Sequence, residues 1–112
     1  MKKPEEVAQA YFAAVRAKDI DAFKTLFAED AVFVFPDGKD YVGLPAIIEM
    51  ELAAFAGTGP TPTPRVMIIG DKAVAGEADV ELADGRVIRA ANLFYLNDDG
   101  KIQRLSSFTK WL

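Results

Sequence analysis

The sequence predicts an α+β domain in which helices come first and long strands follow. Apolar residues near the amino terminus recur every three to four positions, the spacing that places them on one face of a helix. The second half instead alternates apolar and polar residues over three long segments, which are joined by Asp-Gly and Asp-Asp-Gly turns. Consecutive hairpins make an antiparallel meander, whereas an α/β fold would need helical crossovers between its strands.

The chain is short enough for one domain, which we place over residues 1–112. Hydrophobic residues make up 51% of it and charged residues 27%, a balance typical of globular proteins. Residues 57–64 contain three prolines and two glycines and are expected to form a loop. The segments on either side are too short to be domains, so the loop is interpreted as an internal connection.

The composition excludes several kinds of chemistry. The sequence has no histidine and no cysteine, so Ser-His-Asp and Cys-His triads and His- or Cys-based metal sites are excluded. Acid–base chemistry is left to Asp, Glu, Lys or Tyr. The net charge of −4, with scattered basic residues, argues against nucleic acid. No apolar run is long enough for a membrane span and no secretory signal is present, so we expect a cytoplasmic protein without metal, cofactor or membrane partner.

Local signals set the predicted boundaries of the elements. Pro4 suits the first turn of a helix, and either Asp19 or Asp21 would cap the next one. Proline and glycine end the early strand. The predicted helices cover residues 4–17, 22–27 and 45–55, and the predicted strands cover residues 31–35, 65–69, 72–82, 86–96 and 101–111.

Three pieces of the chain, with the order of its elements, resemble the nuclear transport factor 2-like superfamily. They are residues 7–15 around Tyr11, residues 19–31, and Asn92-Leu93-Phe94. Ketosteroid isomerases and SnoaL-like polyketide cyclases share this fold. The resemblance implies a cone-shaped, curved antiparallel sheet packed against three N-terminal helices, with an apolar cavity between them.

The resemblance also implies roles for individual residues. Tyr11 matches the tyrosine donor of ketosteroid isomerases, and Asn92 falls where their protonated aspartate donor would be. An amide still donates a hydrogen bond there. Phe35 falls at the position of the catalytic base, and a phenyl ring cannot accept a proton. We therefore expect no ketosteroid isomerisation of the usual kind.

A substitute base could come from nearby carboxylates. Asp37 and Asp40 lie just beyond Phe35, where burial over the cavity mouth would raise the pKa of either group. The alternative is that both belong to a surface turn. Glu49 and Glu51 on the third helix could reach the cavity rim, although we expect both to face water. SnoaL-like cyclases use a cavity aspartate, and no aspartate on the long strands has inward parity.

The predicted cavity is apolar apart from a polar strip that Asn92, Ser107 and Thr109 would form. Asn92 sits among apolar residues on a buried strand face, so its amide needs a partner or a ligand. Tyr11 could equally be a core aromatic residue. The residues expected to line the cavity are Val15, Phe33, Phe35, Met50, Phe55, Met67, Phe94, Ser107, Thr109 and Trp111.

The opposite sheet face is expected to carry charged and apolar residues together. The charged residues could form cross-strand ion pairs in water, or a polar homodimer interface, since in this superfamily that face often packs against a second copy. Exposed apolar area favours a partner. The charged set is Glu77, Asp79, Glu81, Arg89, Arg104 and Lys110; the apolar set is Ala73, Ala75, Ala91, Leu93, Tyr95 and Phe108.

Two functions remain open from the sequence. The first is a protein that binds an apolar carbonyl or phenolic compound through Tyr11 and Asn92, either without catalysis or as an isomerase or lyase. The second is a non-catalytic dimeric accessory module whose cavity is filled by its own side chains. An open cleft beside Asn92 would favour the first. A site like that of limonene epoxide hydrolase would need an inward Asp-Arg-Asp set, which the strand parity does not supply.

Overall fold

The computed structural model describes residues 2–57 and 59–112. Two helices and a short hairpin lead to a third helix, and four long strands follow. The elements are α1 (Pro4–Ala17), α2 (Ile20–Lys24), β1 (Phe27–Val34), β2 (Asp40–Val42), α3 (Leu44–Phe55), β3 (Thr61–Ile69), β4 (Ala73–Glu81), β5 (Val87–Leu96) and β6 (Ile102–Trp111).

The strands form one curved, unclosed sheet in the order β2-β1-β6-β5-β4-β3, with the helices packed against it. Strands β3 to β6 make the expected antiparallel meander. Strand β1 pairs antiparallel with β2 but parallel with β6, so the sheet holds one parallel pair. The predicted α+β cone is therefore confirmed, and β2 is a strand that the sequence analysis did not predict.

The helix boundaries follow from capping. Helix α1 covers the predicted residues, and the backbone N–H of Lys3 donates to the Glu6 carboxylate over 2.9 Å at its start. Asp19, rather than Asp21, caps α2 by accepting from the Ala22 N–H at 3.0 Å. Because the cap lies there, α2 begins and ends earlier than predicted, and Phe27 belongs to β1.

Strand β3 begins at Thr61, four residues before the predicted start, so the second half of the predicted loop is strand. Pro62 and Pro64 are tolerated because β3 lies at the edge of the sheet, where a missing N–H leaves no neighbouring strand unpaired. A register shift between Pro64 and Val66 marks an irregularity in its pairing with β4.

Aromatic rings join α1 to the sheet. Phe94 of β5 is fully buried and lies edge-on to Tyr11 and Phe12 of α1, with ring centroids 5.2 and 5.9 Å away. A side-chain carbon at Gly76 of β4 would come within 3.3 Å of the Phe12 ring. A side chain at residue 76 would therefore require the Phe12 ring to shift by a few tenths of an ångström.

We expect Gly76→Val to lower the free energy of unfolding by about 1–3 kcal/mol, because the added methyl groups would displace the Phe12 ring. Urea denaturation followed by circular dichroism measures the change. Ala73→Val, on the opposite face of the same strand, is the control and should change stability by less than about 0.5 kcal/mol. Equal effects of the two substitutions would contradict this account of the contact.

Candidate functional site

A cavity of about 230 Å³ lies between the helices and the sheet. Its walls are mostly apolar, and they come from α1, α3, β4, β5, β6 and the segments that flank β1 and β3. The lining residues are Tyr11, Phe12, Val15, Phe33, Phe35, Pro36, Glu51, Ala54, Pro60, Pro62, Val80, Leu82, Ile88, Asn92, Ser107 and Thr109.

Three buried polar side chains meet at this cavity from three different elements. Tyr11 comes from α1, Glu51 from α3 and Asn92 from β5, and each is less than a tenth exposed. Within residues 2–57 and 59–112, no hydrogen bond joins any of these side chains to another protein group. No fully buried side-chain polar atom in that part of the chain lacks a partner, so these groups retain access to the cavity space.

Glu51 is the residue that the sequence analysis placed wrongly. It was expected to face water, but only 4% of it is exposed, whereas its neighbour Glu49 is exposed as expected. Burial disfavours the charged carboxylate and raises the pKa of Glu51 to about 7. The signal was available in the helical spacing, because Glu51 follows the fully buried Ile47 by four residues and so shares its face.

Tyr11 is electrostatically coupled to Glu51. Burial, and secondarily the nearby Glu51 charge, raise the pKa of the Tyr11 phenol well above its ordinary value of 10.0. The phenol therefore keeps its proton at neutral pH and can donate a hydrogen bond. Asn92 can donate as well, because an amide does so at every pH.

The structure brings most of the predicted polar strip together. Ser107 lies directly opposite Asn92 in the β5–β6 pair, and Thr109 lies opposite Ala90, on the same face. Val15, Phe33, Phe35, Ser107 and Thr109 all lie along the cavity wall, with Tyr11 and Asn92. The sequence analysis missed Val80, Leu82 and Ile88 as lining residues.

Asp37 and Asp40 do not reach the cavity. Asp37 accepts a hydrogen bond from the Lys39 N–H at 2.9 Å in an exposed turn, and Asp40 is exposed on β2. The turn is closed by a bond from the Phe35 N–H to the Lys39 carbonyl, which directs the segment towards solvent. Neither aspartate is placed to act as the substitute base.

Five residues predicted to line the cavity lie elsewhere. Phe94 is buried beneath Tyr11, and Phe55 packs edge-on against Phe23 at 6.3 Å. Met50 and Met67 are half-buried against the core rather than on the cavity wall. Trp111 is 58% exposed near the end of β6, with the Arg86 guanidinium 4.4 Å from its ring centroid. Strand parity was correct for Trp111, but the sheet extends beyond the cavity there.

The outer face of the sheet combines an ion-pair network with apolar side chains. Asp79 contacts Arg89 at 2.8 Å and Arg65 at 3.3 Å, and the Arg89 hydrogen bond is the main cause that lowers the pKa of Asp79. Ile68 is 69% exposed and Phe108 57% exposed on this face. Cross-strand ion pairs on this face were one of the two alternatives from the sequence, which did not include Arg65 among the residues that form them.

The structure also bears on metal ions and membranes. Among residues 2–57 and 59–112, no three acidic side chains lie close enough together to hold a metal ion. None of the helices in that part of the chain is long and apolar enough to cross a membrane.

The geometry and the sequence together define the class. The model of the SnoaL-like domain matches residues 8–105, which is most of the chain. The protein therefore belongs to the SnoaL-like domain family. No curated protein sequence matches the chain.

Several solved structures are similar to this one. The epoxide hydrolase/cyclase-like enzyme SalBIII, which has a role in pyran ring formation in the polyether salinomycin, has a TM-score of 0.83 at 26% identity; 96% of this chain and 90% of that one are covered. A proposed polyketide cyclase from Sinorhizobium meliloti has a TM-score of 0.80 at 27% identity, with 91% and 93% covered. A proposed ketosteroid isomerase from Kribbella flavida shares the fold, with a TM-score of 0.84, 18% identity, and 96% and 77% covered.

The raised pKa of Glu51 makes the stability of the protein depend on pH. Between pH 4.5 and about 7 the folded state holds a proton on Glu51 that the unfolded state releases. The free energy of unfolding should therefore fall as pH rises through this window, with a contribution from Glu51 of about 3 kcal/mol. Urea denaturation of the wild type and of Glu51→Gln at pH 5 and pH 8 measures that contribution.

Glu51→Gln should be more stable relative to the wild type at pH 8 than at pH 5, because the amide carries no charge. Glu49→Gln is the matched control on the exposed face of the same helix and should follow the wild type. A pH dependence that is the same in all three proteins would contradict the assigned pKa.

Proposed function

We propose that the protein is a small-molecule enzyme that uses Glu51 as its general base and Tyr11 and Asn92 as hydrogen-bond donors. Its substrate would be an apolar carbonyl or phenolic compound. One observation carries the proposal: a buried carboxyl group with a pKa of about 7 shares an apolar cavity with two donors that have no partner among residues 2–57 and 59–112. A base with that pKa is ionised to a useful extent at neutral pH and is still strong enough to remove a proton.

The size and lining of the cavity define the ligand. At about 230 Å³ the cavity is smaller than most drug-sized pockets, so it suits a compound with one ring or two small rings. Apolar walls would take the ring, while the polar groups fix the orientation of a single oxygen. A carbonyl or phenol oxygen can accept hydrogen bonds from both Tyr11 and Asn92.

The proposed step is proton transfer next to a carbonyl group. The Glu51 carboxylate takes a proton from the carbon beside the carbonyl, and the electron pair of that C–H bond forms the enolate. The negative charge then lies on the oxygen, where Tyr11 and Asn92 donate hydrogen bonds that strengthen as the charge develops. The neutral Glu51 returns its proton to a different atom of the enolate, which completes an isomerisation.

The relatives support this class of chemistry without identifying the substrate. SalBIII is described as an epoxide hydrolase/cyclase-like enzyme, and the Sinorhizobium protein as a proposed polyketide cyclase. In ketosteroid isomerases the base would occupy the position of Phe35. Here Phe35 is part of the apolar wall, and the carboxylate would come from α3 instead. A steroid is also large for the cavity.

The alternative of a non-catalytic module with a filled cavity has less support. That alternative requires a cavity that the protein's own side chains fill, with one of them hydrogen-bonded to the Asn92 amide. The cavity instead stays open beside Asn92, whose amide has no partner within the described residues. A site of this kind favours binding, since polar groups in an apolar cavity are stabilised when a ligand pairs with them.

We also propose that the outer sheet face forms a homodimer interface. Ile68, Tyr95 and Phe108 are exposed on this face, beside the Arg65–Asp79–Arg89 network. Apolar side chains that are grouped with satisfied ion pairs are typical of an interface core with a polar surround.

Catalysis is tested by hydrogen exchange. Incubation with phenylacetone or cyclohexenone in deuterated buffer, followed by proton NMR, measures loss of the proton beside the carbonyl. We expect the wild-type rate to rise with pH through about 7, as Glu51 ionises. Glu51→Gln should lower the rate by about 100-fold or more, because an amide cannot accept the proton.

Glu49→Gln is the matched control for catalysis and should keep the wild-type exchange rate. Tyr11→Phe should lower kcat more than it raises KM, since its hydrogen bond strengthens in the transition state. Equal exchange rates in the wild type and Glu51→Gln would refute the role of Glu51.

The interface is tested by sedimentation velocity at micromolar protein concentration. We expect a dimer for the wild type and a monomer for Phe108→Glu, because the new charge would be buried without a partner in the interface. Leu52→Glu is the control and should stay dimeric, since Leu52 is 47% exposed on α3, which packs on the opposite side of the sheet. A monomeric wild type would overturn the proposed interface.

A further inference from the structure

The cavity wall combines one carboxyl group with four aromatic rings and no basic side chain. The carboxyl group is that of Glu51, and the aromatic residues are Tyr11, Phe12, Phe33 and Phe35. Aromatic rings attract cations through the negative charge of their faces, and this attraction grows when the cation is shielded from water. When Glu51 is ionised, the wall therefore favours a positive charge beside the carboxylate.

Two basic residues lie at the end of α1 and just after it, and both donate hydrogen bonds to groups other than Glu51. Arg16 donates to the Pro62 carbonyl at 2.9 Å and to the Thr63 hydroxyl at 3.2 Å. Lys18 donates to the Gly57 carbonyl at 2.7 Å. Within residues 2–57 and 59–112, no salt bridge involves Glu51. An ionised Glu51 would therefore lack a counter-ion from this part of the chain.

Charged groups on the elements that pack against α3 lie at the surface. On α2, Asp21 and Lys24 pair with each other at 3.3 Å. On β1 and β2, Glu29, Asp30 and Asp40 are exposed. Tyr41 packs against the Phe35 ring. Among the described residues, Tyr11 is the titratable side chain that shares the cavity wall with Glu51. The charge state of the cavity is thus governed by Glu51.

We propose that this cavity binds small apolar ammonium cations, with the ammonium group paired to the Glu51 carboxylate and its ring held by the aromatic wall. The expected ligand is a primary or secondary amine attached to one ring. This inference deepens the proposed function, because it uses the same cavity and the same ionised carboxylate. It gives the site a charge preference that a carbonyl substrate alone would not reveal, and amines would compete with carbonyl compounds for the site.

Three probes of matched shape test the preference: benzylamine, benzyl alcohol and benzoate, which are cationic, neutral and anionic at pH 8. Isothermal titration calorimetry measures the Kd of each with the wild type. We expect benzylamine to bind at least about tenfold more tightly than benzyl alcohol, and benzoate not to bind. Lowering the pH from 8 to 6 should weaken benzylamine binding about tenfold, because most of Glu51 is then protonated.

Substitutions separate this inference from the proposed function. Glu51→Gln should remove the preference for benzylamine over benzyl alcohol, while Glu49→Gln should keep it. Benzyl alcohol binding that equals or exceeds benzylamine binding, or a preference that survives Glu51→Gln, would overturn the inference. Hydrogen exchange of ketones without amine binding would leave the catalytic proposal intact and refute this one; amine binding without exchange would do the reverse.

Discussion

The contact between α1 and the sheet is the constraint on which the rest of the structure depends. Phe12 lies against the backbone of β4 at Gly76, and Phe94 closes the space beneath Tyr11. These rings pack against one another in the space between α1 and the sheet. They also fix the height of α1 above the strands, so that the remaining space stays open as a cavity instead of collapsing.

Burial of Glu51 follows from the same arrangement. Helix α3 must bury the face that carries Ile47, and a residue four positions later is carried into the interior with it. A buried carboxyl group without a partner destabilises the fold when it is charged, which is why its pKa is raised. A perturbed pKa of this kind is typical of functional sites. A carboxylate without a partner in the ligand-free protein is available to pair with a ligand.

The supply of the carboxylate from α3 distinguishes this cavity from the arrangement implied by the family resemblance. Strand β1 and the residue that follows it contribute apolar side chains, Phe33 and Phe35, to the wall. Tyr11 and Asn92 keep their expected positions on α1 and β5. Under the proposed function, the two hydrogen-bond donors would lie where the resemblance implies while the carboxylate would come from a different element, in line with the view that function lies in the site and not in the fold.

The sequence by itself determined the α+β class, the limits of α1, the β-meander and the inward parity of Asn92, Ser107 and Thr109. These features depend on local periodicity and turn residues, which are read within a few positions. The tertiary structure alone decided that β3 begins among prolines and that Asp37 and Asp40 face solvent. For Glu51, the helical spacing indicates a shared face with Ile47, and the tertiary structure decided that this face meets the cavity. Each of those outcomes depends on which strand lies at an edge or which helix face meets the sheet, and neither is encoded in the local pattern.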